Sequence, residues 1–98
     1  QPHLFTRTRD FADGFAQSLA QFDRVVLLDI YPARELPIEG ITSQWLLNKI
    51  DNPNKVLVTK DNIIKYLQSH PSRVLVLAGA GDIGVEVEKI KKFLEKDI

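Results

Sequence analysis

Apolar residues follow two different patterns along this chain of 98 residues. Apolar-rich runs of strand length occur at residues 25–28, 55–58 and 74–77, and such runs are typical of parallel strands covered on both faces. Around them, apolar residues recur every three or four positions, which is the spacing of one helix face. The predicted order is helix, strand, helix, strand, helix, strand, helix. Because strands that alternate with helices pair in parallel, we predict a three-layer α/β/α domain with a small, Rossmann-like parallel sheet.

Two of the predicted helices have a marked apolar stripe, which should face the sheet. The first helix follows Thr8 or Asp10 as its cap. Its stripe is formed by Phe11, Phe15, Leu19 and Phe22. The last helix has a stripe formed by Ile83, Val87, Ile90 and Leu94. A chain that opens on a helix in need of a sheet suggests a preceding strand, so we expect the sheet to be truncated at its N-terminal side.

Composition excludes several classes of function. Thirteen basic and thirteen acidic residues cancel, so no overall field attracts nucleic acid or an anionic membrane. Cysteine is absent, and the two histidines, His3 and His70, lie far apart in sequence, so we expect no metal site. No apolar run approaches the roughly 20 residues of a membrane span, and a cytoplasmic location is the default expectation. Methionine is absent even at position 1, which suggests a fragment of a longer protein.

A glycine motif follows the third predicted strand. Gly79, Gly81 and Gly84 spell G-x-G-x-x-G, the spacing of a dinucleotide-binding turn. That fingerprint needs an acidic residue about 20 positions further on, at the end of another strand, and the chain ends first. Asp82 also stands where a pyrophosphate would approach the helix. We therefore favour a tight turn capped by Asp82, with a small nucleotide- or anion-binding module without catalysis as the alternative.

Residues 1–9 form the first candidate site. Sites in parallel α/β sheets lie beyond the carboxyl ends of the strands, and if a strand precedes Gln1, this segment is the loop that follows it. His3, Arg7 and Arg9 stand close together in this segment. A guanidinium directs two donors at a carboxylate or phosphate, and the start of the following helix would add its dipole. The segment therefore predicts an anion site, and the competing interpretation is a solvated basic terminus.

Residues 29–40 form a second candidate region. This loop is rich in proline and acidic residues, and it follows the first predicted strand. Its polar side chains, which include Asp29, Tyr31 and Glu35, could order a small polar ligand. The competing interpretation is an ordered proline-rich loop whose charges pair with one another.

Three blocks of the sequence match one family in order and at natural spacing. The first reads QPH followed by TRTRD, the second has the pattern DxYPAxExPIxG, and the third reads GAGDI. Together they cover the whole chain, which resembles the C-terminal domain of the Mur ligase family. The resemblance implies that residues 1–98 are a single C-terminal domain of a larger ligase and that the GAGDI block is scaffold.

The resemblance also implies an activity for the whole enzyme. Such a cytoplasmic ligase, dependent on ATP and Mg²⁺, would join L-alanine to UDP-N-acetylmuramate in peptidoglycan synthesis. ATP would phosphorylate the muramyl carboxylate, and the amine of L-alanine would then displace phosphate from the acyl phosphate. The family places ATP in a central domain and the UDP group in an N-terminal domain of the same protein. The fragment by itself should be inactive and bind no cofactor.

Site residues carry over position by position. His3 and Arg7 match positions at the amino-acid end of the family's site, and Arg7 would bind the alanine carboxylate. Leu4 stands where relatives often have arginine, so a contact from that side chain is lost. In the second block, Asp29, Tyr31 and Glu35 would order the loop near the site. The resemblance assigns no catalytic residue and no metal ligand to this chain.

Overall fold

A two-stranded parallel sheet lies at the centre of the chain. In the computed structural model, which describes residues 1–80 and 83–96, strands β1 and β2 pair with Val26 opposite Val56. The strands are β1 (Val25–Leu27) and β2 (Lys55–Leu57). The helices are α1 (Phe5–Asp10), α2 (Ala12–Leu19), α3 (Ser43–Lys49), α4 (Ile63–Ser69) and α5 (Ile83–Lys96), with a short 3₁₀ turn at Lys60–Asn62 before α4.

Helices cover both faces of this sheet. Val25 and Leu27 point into a first buried cluster, which α2 and α3 complete. Val26, between them in sequence, packs instead against a second cluster built from α4 and α5. Because successive side chains of a strand point to opposite faces, the two clusters lie on opposite sides of the sheet. The predicted α/β/α layering is therefore confirmed.

Helix α3 shows how local signals define an element in this chain. The sequence predicts a helix here, capped by Thr42 or Ser43 and burying Leu46, Leu47 and Ile50. The Thr42 side chain accepts a hydrogen bond from the Trp45 amide at 3.1 Å and so is the cap. On the buried face, Leu46 and Ile50 are each only 1% exposed. A cap followed by an apolar stripe was sufficient to locate this helix.

The predicted third strand is wrong within the described residues. Residues 74–77 form no regular secondary structure, and they belong to neither strand of the sheet that the structure describes. Leu75 and Leu77 pack against the second cluster, whereas Val74 and Val76 are 80% and 62% exposed. A strand requires a hydrogen-bonded neighbour, and an apolar run supplies only the side chains.

The start of the first helix also differs from its prediction. Helix α1 begins at Phe5, within the segment predicted as a loop, and a second helix starts at Ala12. Thr8 is fully buried and donates its hydroxyl hydrogen bond to the Leu4 carbonyl at 2.8 Å. Thr8 therefore stabilises the first turn of α1 and does not cap the following helix, α2.

Of the stripe predicted for the first helix, Leu19 packs against the first cluster, but the three phenylalanines do not face the sheet. Phe11, Phe15 and Phe22 are 60%, 42% and 48% exposed, while Ala12 and Ala16 are buried. The phenylalanines and the alanines both recur at helical spacing, on adjacent faces of the helix, so the spacing alone does not show which face is buried. Small alanines allow a helix backbone to approach its neighbours closely, which accounts for the buried face.

Helix α5 confirms half of its predicted stripe. Ile83 and Ile90 are buried, whereas Val87 and Leu94 are 37% and 41% exposed. Glu86 takes an inward position instead, and its carboxylate is 3.4 Å from the Lys89 ammonium. The buried face is therefore rotated relative to the purely apolar stripe.

Candidate functional site

The first four residues pair with the loop that follows β1. His3 and Tyr31 form a parallel bridge. The Leu4 amide donates to the Tyr31 carbonyl at 2.8 Å, and the Tyr31 amide donates to the Pro2 carbonyl at 2.9 Å. Two loops that lie far apart in sequence therefore meet at the carboxyl end of β1, where a site was expected.

The other side of this N-terminal segment contacts the glycine-containing turn. The Gln1 amino group donates to the Ala78 carbonyl at 2.8 Å, and the Gln1 side-chain oxygen accepts from the Ile83 amide at 3.1 Å. A Cβ placed on Gly79 would lie 2.8 Å from a methyl carbon of Ile83 and 3.1 Å from the Gln1 carbonyl oxygen. Gly79 is thus required by close packing within the protein, which supports the scaffold interpretation and not the nucleotide-binding alternative. Gly81 and the predicted cap Asp82 lie outside the described residues.

His3 lies against Tyr31. Their rings stack with centroids 5.6 Å apart and planes inclined by 15°. The His3 Nδ1 atom is buried and has no hydrogen-bond partner among the described residues. Buried polar atoms without a partner are uncommon in proteins, and each calls for an explanation such as a functional role.

Glu35 joins the loop to α1. Its carboxylate accepts the Thr6 amide at 3.1 Å through Oε1 and the Thr6 hydroxyl at 2.6 Å through Oε2. The hydrogen bond from the Thr6 hydroxyl is the main cause that lowers the pKa of Glu35, and the positive charge of Arg9 acts in the same direction. The Glu35 carboxyl is therefore ionised at neutral pH, and the N-terminal end of α1 already has an anionic partner.

The two arginines of α1 differ in their surroundings. The Arg9 Nε lies 2.9 Å from an Asp10 carboxylate oxygen, and this hydrogen bond raises the pKa of Arg9. Arg7 is exposed, and its side chain makes no hydrogen bond or ion pair with any residue of the described ranges. Of these two guanidinium groups, that of Arg9 has a partner and that of Arg7 has none among the described residues.

The remaining predicted site residue, Asp29, is exposed just beyond β1. It precedes Tyr31 by two positions, so it lies at the same edge of the sheet. The structure therefore brings His3, Tyr31 and the Glu35–Thr6 pair into one contact network. It places Arg7 on the adjoining helix, and the Asp29 side chain makes no hydrogen bond or ion pair with a residue of the described ranges.

An open cleft of about 250 Å³ lies between the α1–α2 corner and α3. Trp45 and Lys49 form its α3 wall, and the Lys49 ammonium sits 4.9 Å from the Trp45 ring centroid. Neither His3 nor Arg7 lines this cleft. The cleft is therefore not part of the candidate site.

Sequence reasoning missed the role of Thr6. Thr6 and Glu35 are separated by 29 positions, so no local spacing connects them. The sequence does connect the two residues in one way, because each lies in a motif block that resembles the same family. Within residues 1–80 and 83–96, there is no group of three or more His, Asp or Glu residues that could hold a metal ion. No helix in those ranges is long and apolar enough to cross a membrane.

Comparison with known proteins identifies the class. No family model matches the chain, but its full length aligns with the C-terminal portion of curated ligases. The chain belongs to the Mur ligase family, and it spans about a fifth of the length of the relatives it matches.

The particular relatives are UDP-N-acetylmuramate–L-alanine ligases. The chain is 60% identical over 98 residues to that of Flavobacterium johnsoniae, which covers 100% of this chain and 22% of the relative. It is 64% identical over 94 residues to that of Christiangramia forsetii, covering 96% of this chain and 21% of the relative. A ligase of the same name from Porphyromonas gingivalis is 54% identical over 97 residues, with 97% and 21% covered.

Proposed function

We propose that residues 1–98 form the C-terminal, amino-acid-binding domain of a cytoplasmic ligase that joins L-alanine to UDP-N-acetylmuramate. The observation that carries the proposal is the identity of 60% along the entire chain to a ligase of that name. The site geometry supports it, because α1, which carries Arg7, is hydrogen-bonded through Thr6 to Glu35 of the loop at the carboxyl edge of the sheet.

Arg7 is the proposed receptor for the carboxylate of L-alanine. Its planar guanidinium can donate two parallel hydrogen bonds to a carboxylate, and no ion pair with a described residue competes for it. Binding through the carboxylate leaves the amino group of L-alanine free to react. The role of this domain is thus to hold and orient the nucleophile.

His3 completes the proposed amino-acid site from the N-terminal segment. Its ring is fixed against Tyr31, and its buried Nδ1 atom retains an unused hydrogen-bonding capacity. Tyr31 and Glu35 order the loop through the contacts described above. Asp29 is included as a loop residue near the site.

ATP and Mg²⁺ are assigned to other domains of the same protein. The described part of this chain lacks a cluster of carboxylates suited to Mg²⁺. The space at Gly79 is filled by Gln1 and Ile83, so it gives no close approach to a phosphate. The residues present do not fit either group, and UDP-N-acetylmuramate would likewise be bound largely outside this domain.

A domain exchange tests the proposal. Residues 1–98 would replace the matching segment of the Flavobacterium johnsoniae ligase, and phosphate release would be measured with ATP and UDP-N-acetylmuramate. We expect phosphate release that depends on L-alanine. A folded chimera that binds ATP but shows no dependence on L-alanine would contradict the proposal.

A further inference from the structure

We propose that Glu35 is a positioning residue, which caps α1 from the neighbouring loop and thereby holds Arg7 in place to bind a carboxylate. This inference rests on the proposed function, because it takes the carboxylate to be that of the amino-acid substrate. Glu35 contacts α1 and acts on the substrate only through that helix.

Helix α1 needs a partner at its N-terminal end. It has six residues, and helices of that length are unstable in water without outside contacts. The amides of the first turn have no acceptor within the helix. Leu4, the residue that precedes the helix, has a φ of 69° and supplies no side-chain cap. Another element must therefore satisfy this end of α1.

Glu35 is that element. Each of its two carboxylate oxygens accepts one hydrogen bond from Thr6, one from the amide and one from the hydroxyl. Thr6 is the residue immediately before Arg7. An ionised carboxylate at a helix N-terminus is also favoured by the helix dipole. The contact thus fixes the turn of helix from which the Arg7 side chain extends.

Backbone hydrogen bonds fix both ends of the short loop segment 31–35, which carries Glu35. The Glu35 amide donates to the Pro32 carbonyl at 2.9 Å, and Ala33 between them has a φ of 52°. Tyr31 is held by its two backbone hydrogen bonds to Pro2 and Leu4. The segment from 31 to 35 therefore joins the N-terminal strand-like residues to α1, and displacement of one part will move the other.

The capping contact can be tested in the 98-residue chain by following the Thr6 amide by NMR as the pH is lowered. In the wild-type protein the Thr6 amide should titrate with a pKa below the ordinary value of glutamate, because its hydrogen bonds stabilise the charged form of Glu35. Glu35→Ala should abolish this titration. Glu39→Gln, the control variant at an exposed residue of the same loop, should leave it unchanged. An unchanged titration of Thr6 in Glu35→Ala would overturn the proposal.

The positioning role is tested by a double-mutant cycle in the full-length ligase that contains this domain. Glu35→Ala should raise the KM for L-alanine about tenfold, the loss expected for a hydrogen bond to a charged group, and leave the KM for ATP unchanged. Glu35→Gln keeps one acceptor and should restore part of the affinity. In an Arg7→Ala background, Glu35→Ala should cause no further rise, because its effect passes through Arg7.

The outcomes separate this inference from the proposed function. If Arg7→Ala raises the KM for L-alanine but Glu35→Ala does not, the positioning role is wrong and the amino-acid site stands. A rise in the KM for both L-alanine and ATP, or a further rise in the Arg7→Ala background, would show general structural damage and also overturn it. If Arg7→Ala leaves the KM for L-alanine unchanged, the proposed function of Arg7 fails, and the positioning inference fails with it. The Thr6 titration then still reports whether the cap exists.

Discussion

The two faces of the sheet are packed to different degrees. On the face covered by α2 and α3, the first cluster contains side chains that are almost fully excluded from water, such as Leu46 and Ile50. On the other face Ile90 is equally buried, but Val74 and Val76 are exposed in a segment without a strand partner in the described chain. An apolar cleft of about 270 Å³ also separates that segment from α5. Apolar content alone therefore does not determine how completely a face is packed.

The largest expected effect is the loss of a side chain from the first cluster. Leu46→Ala should lower the free energy of unfolding by about 2–5 kcal/mol, because it removes buried methyl groups and leaves a cavity. Urea unfolding of the 98-residue chain measures the change. Leu36→Ala is the matched control, since Leu36 is 85% exposed and its truncation should alter stability by no more than about 0.5 kcal/mol. Equal effects of the two variants would contradict the described packing.

A smaller effect is expected on the less complete face. Leu77 is only partly buried against the second cluster, so Leu77→Ala should cost about 1–2 kcal/mol in the same unfolding experiment. Hydrogen exchange gives an independent check, because the amides of residues 74–77 lack the ladder that protects β1 and β2. Protection of residues 74–77 equal to that of β1 would show that the contrast between the faces is wrong.

The cap of α3 is expected to contribute about 1 kcal/mol. Thr42→Ala removes the oxygen that accepts from the Trp45 amide, whereas Thr42→Ser keeps it. Thermal unfolding should therefore separate the two variants, with Thr42→Ser close to the wild type. If Thr42→Ala unfolds at the wild-type temperature, the cap does not stabilise the first face.

The smallest effect is a pH dependence at the contact between α1 and the loop. The folded state lowers the pKa of Glu35 through its hydrogen bonds with Thr6. This contribution to stability is thus fully present above the unfolded pKa of about 4.3 and is lost as the pH falls through the folded value. Urea midpoints should place Glu35→Gln below the wild type at pH 7, with the difference shrinking in acid. A difference that grows as the pH falls would contradict this sign.

The parts of the fold that depend on local signals could be predicted from the sequence. Helix α3 and strands β1 and β2 were found because a capping residue or an apolar-rich run marks each of them. The prediction of a third strand was wrong, because strand formation requires a hydrogen-bonded backbone neighbour, which the side chains of the segment do not reveal. The buried face of α2 could not be chosen either, since alanines and phenylalanines share the same periodicity and only packing distinguishes them.

The candidate site shows the same division. Spacing alone indicated a basic segment and an acidic loop, and the resemblance to a family singled out Arg7 and His3. The pairing of Glu35 with Thr6 connects positions too distant for any periodic pattern. The pairing of Arg9 with Asp10, which distinguishes it from Arg7, depends on side-chain geometry that composition does not contain.

The most direct test of the central claim compares these two arginines in the full-length ligase. Arg7→Ala should raise the KM for L-alanine by about 10- to 100-fold, as expected for loss of a charge-assisted pair, with the KM for ATP unchanged. Arg9→Ala, which removes an exposed guanidinium already paired with Asp10, should change the KM for L-alanine less than about threefold. An unchanged KM for L-alanine in Arg7→Ala, or equal effects of the two variants, would contradict the assignment of the amino-acid site.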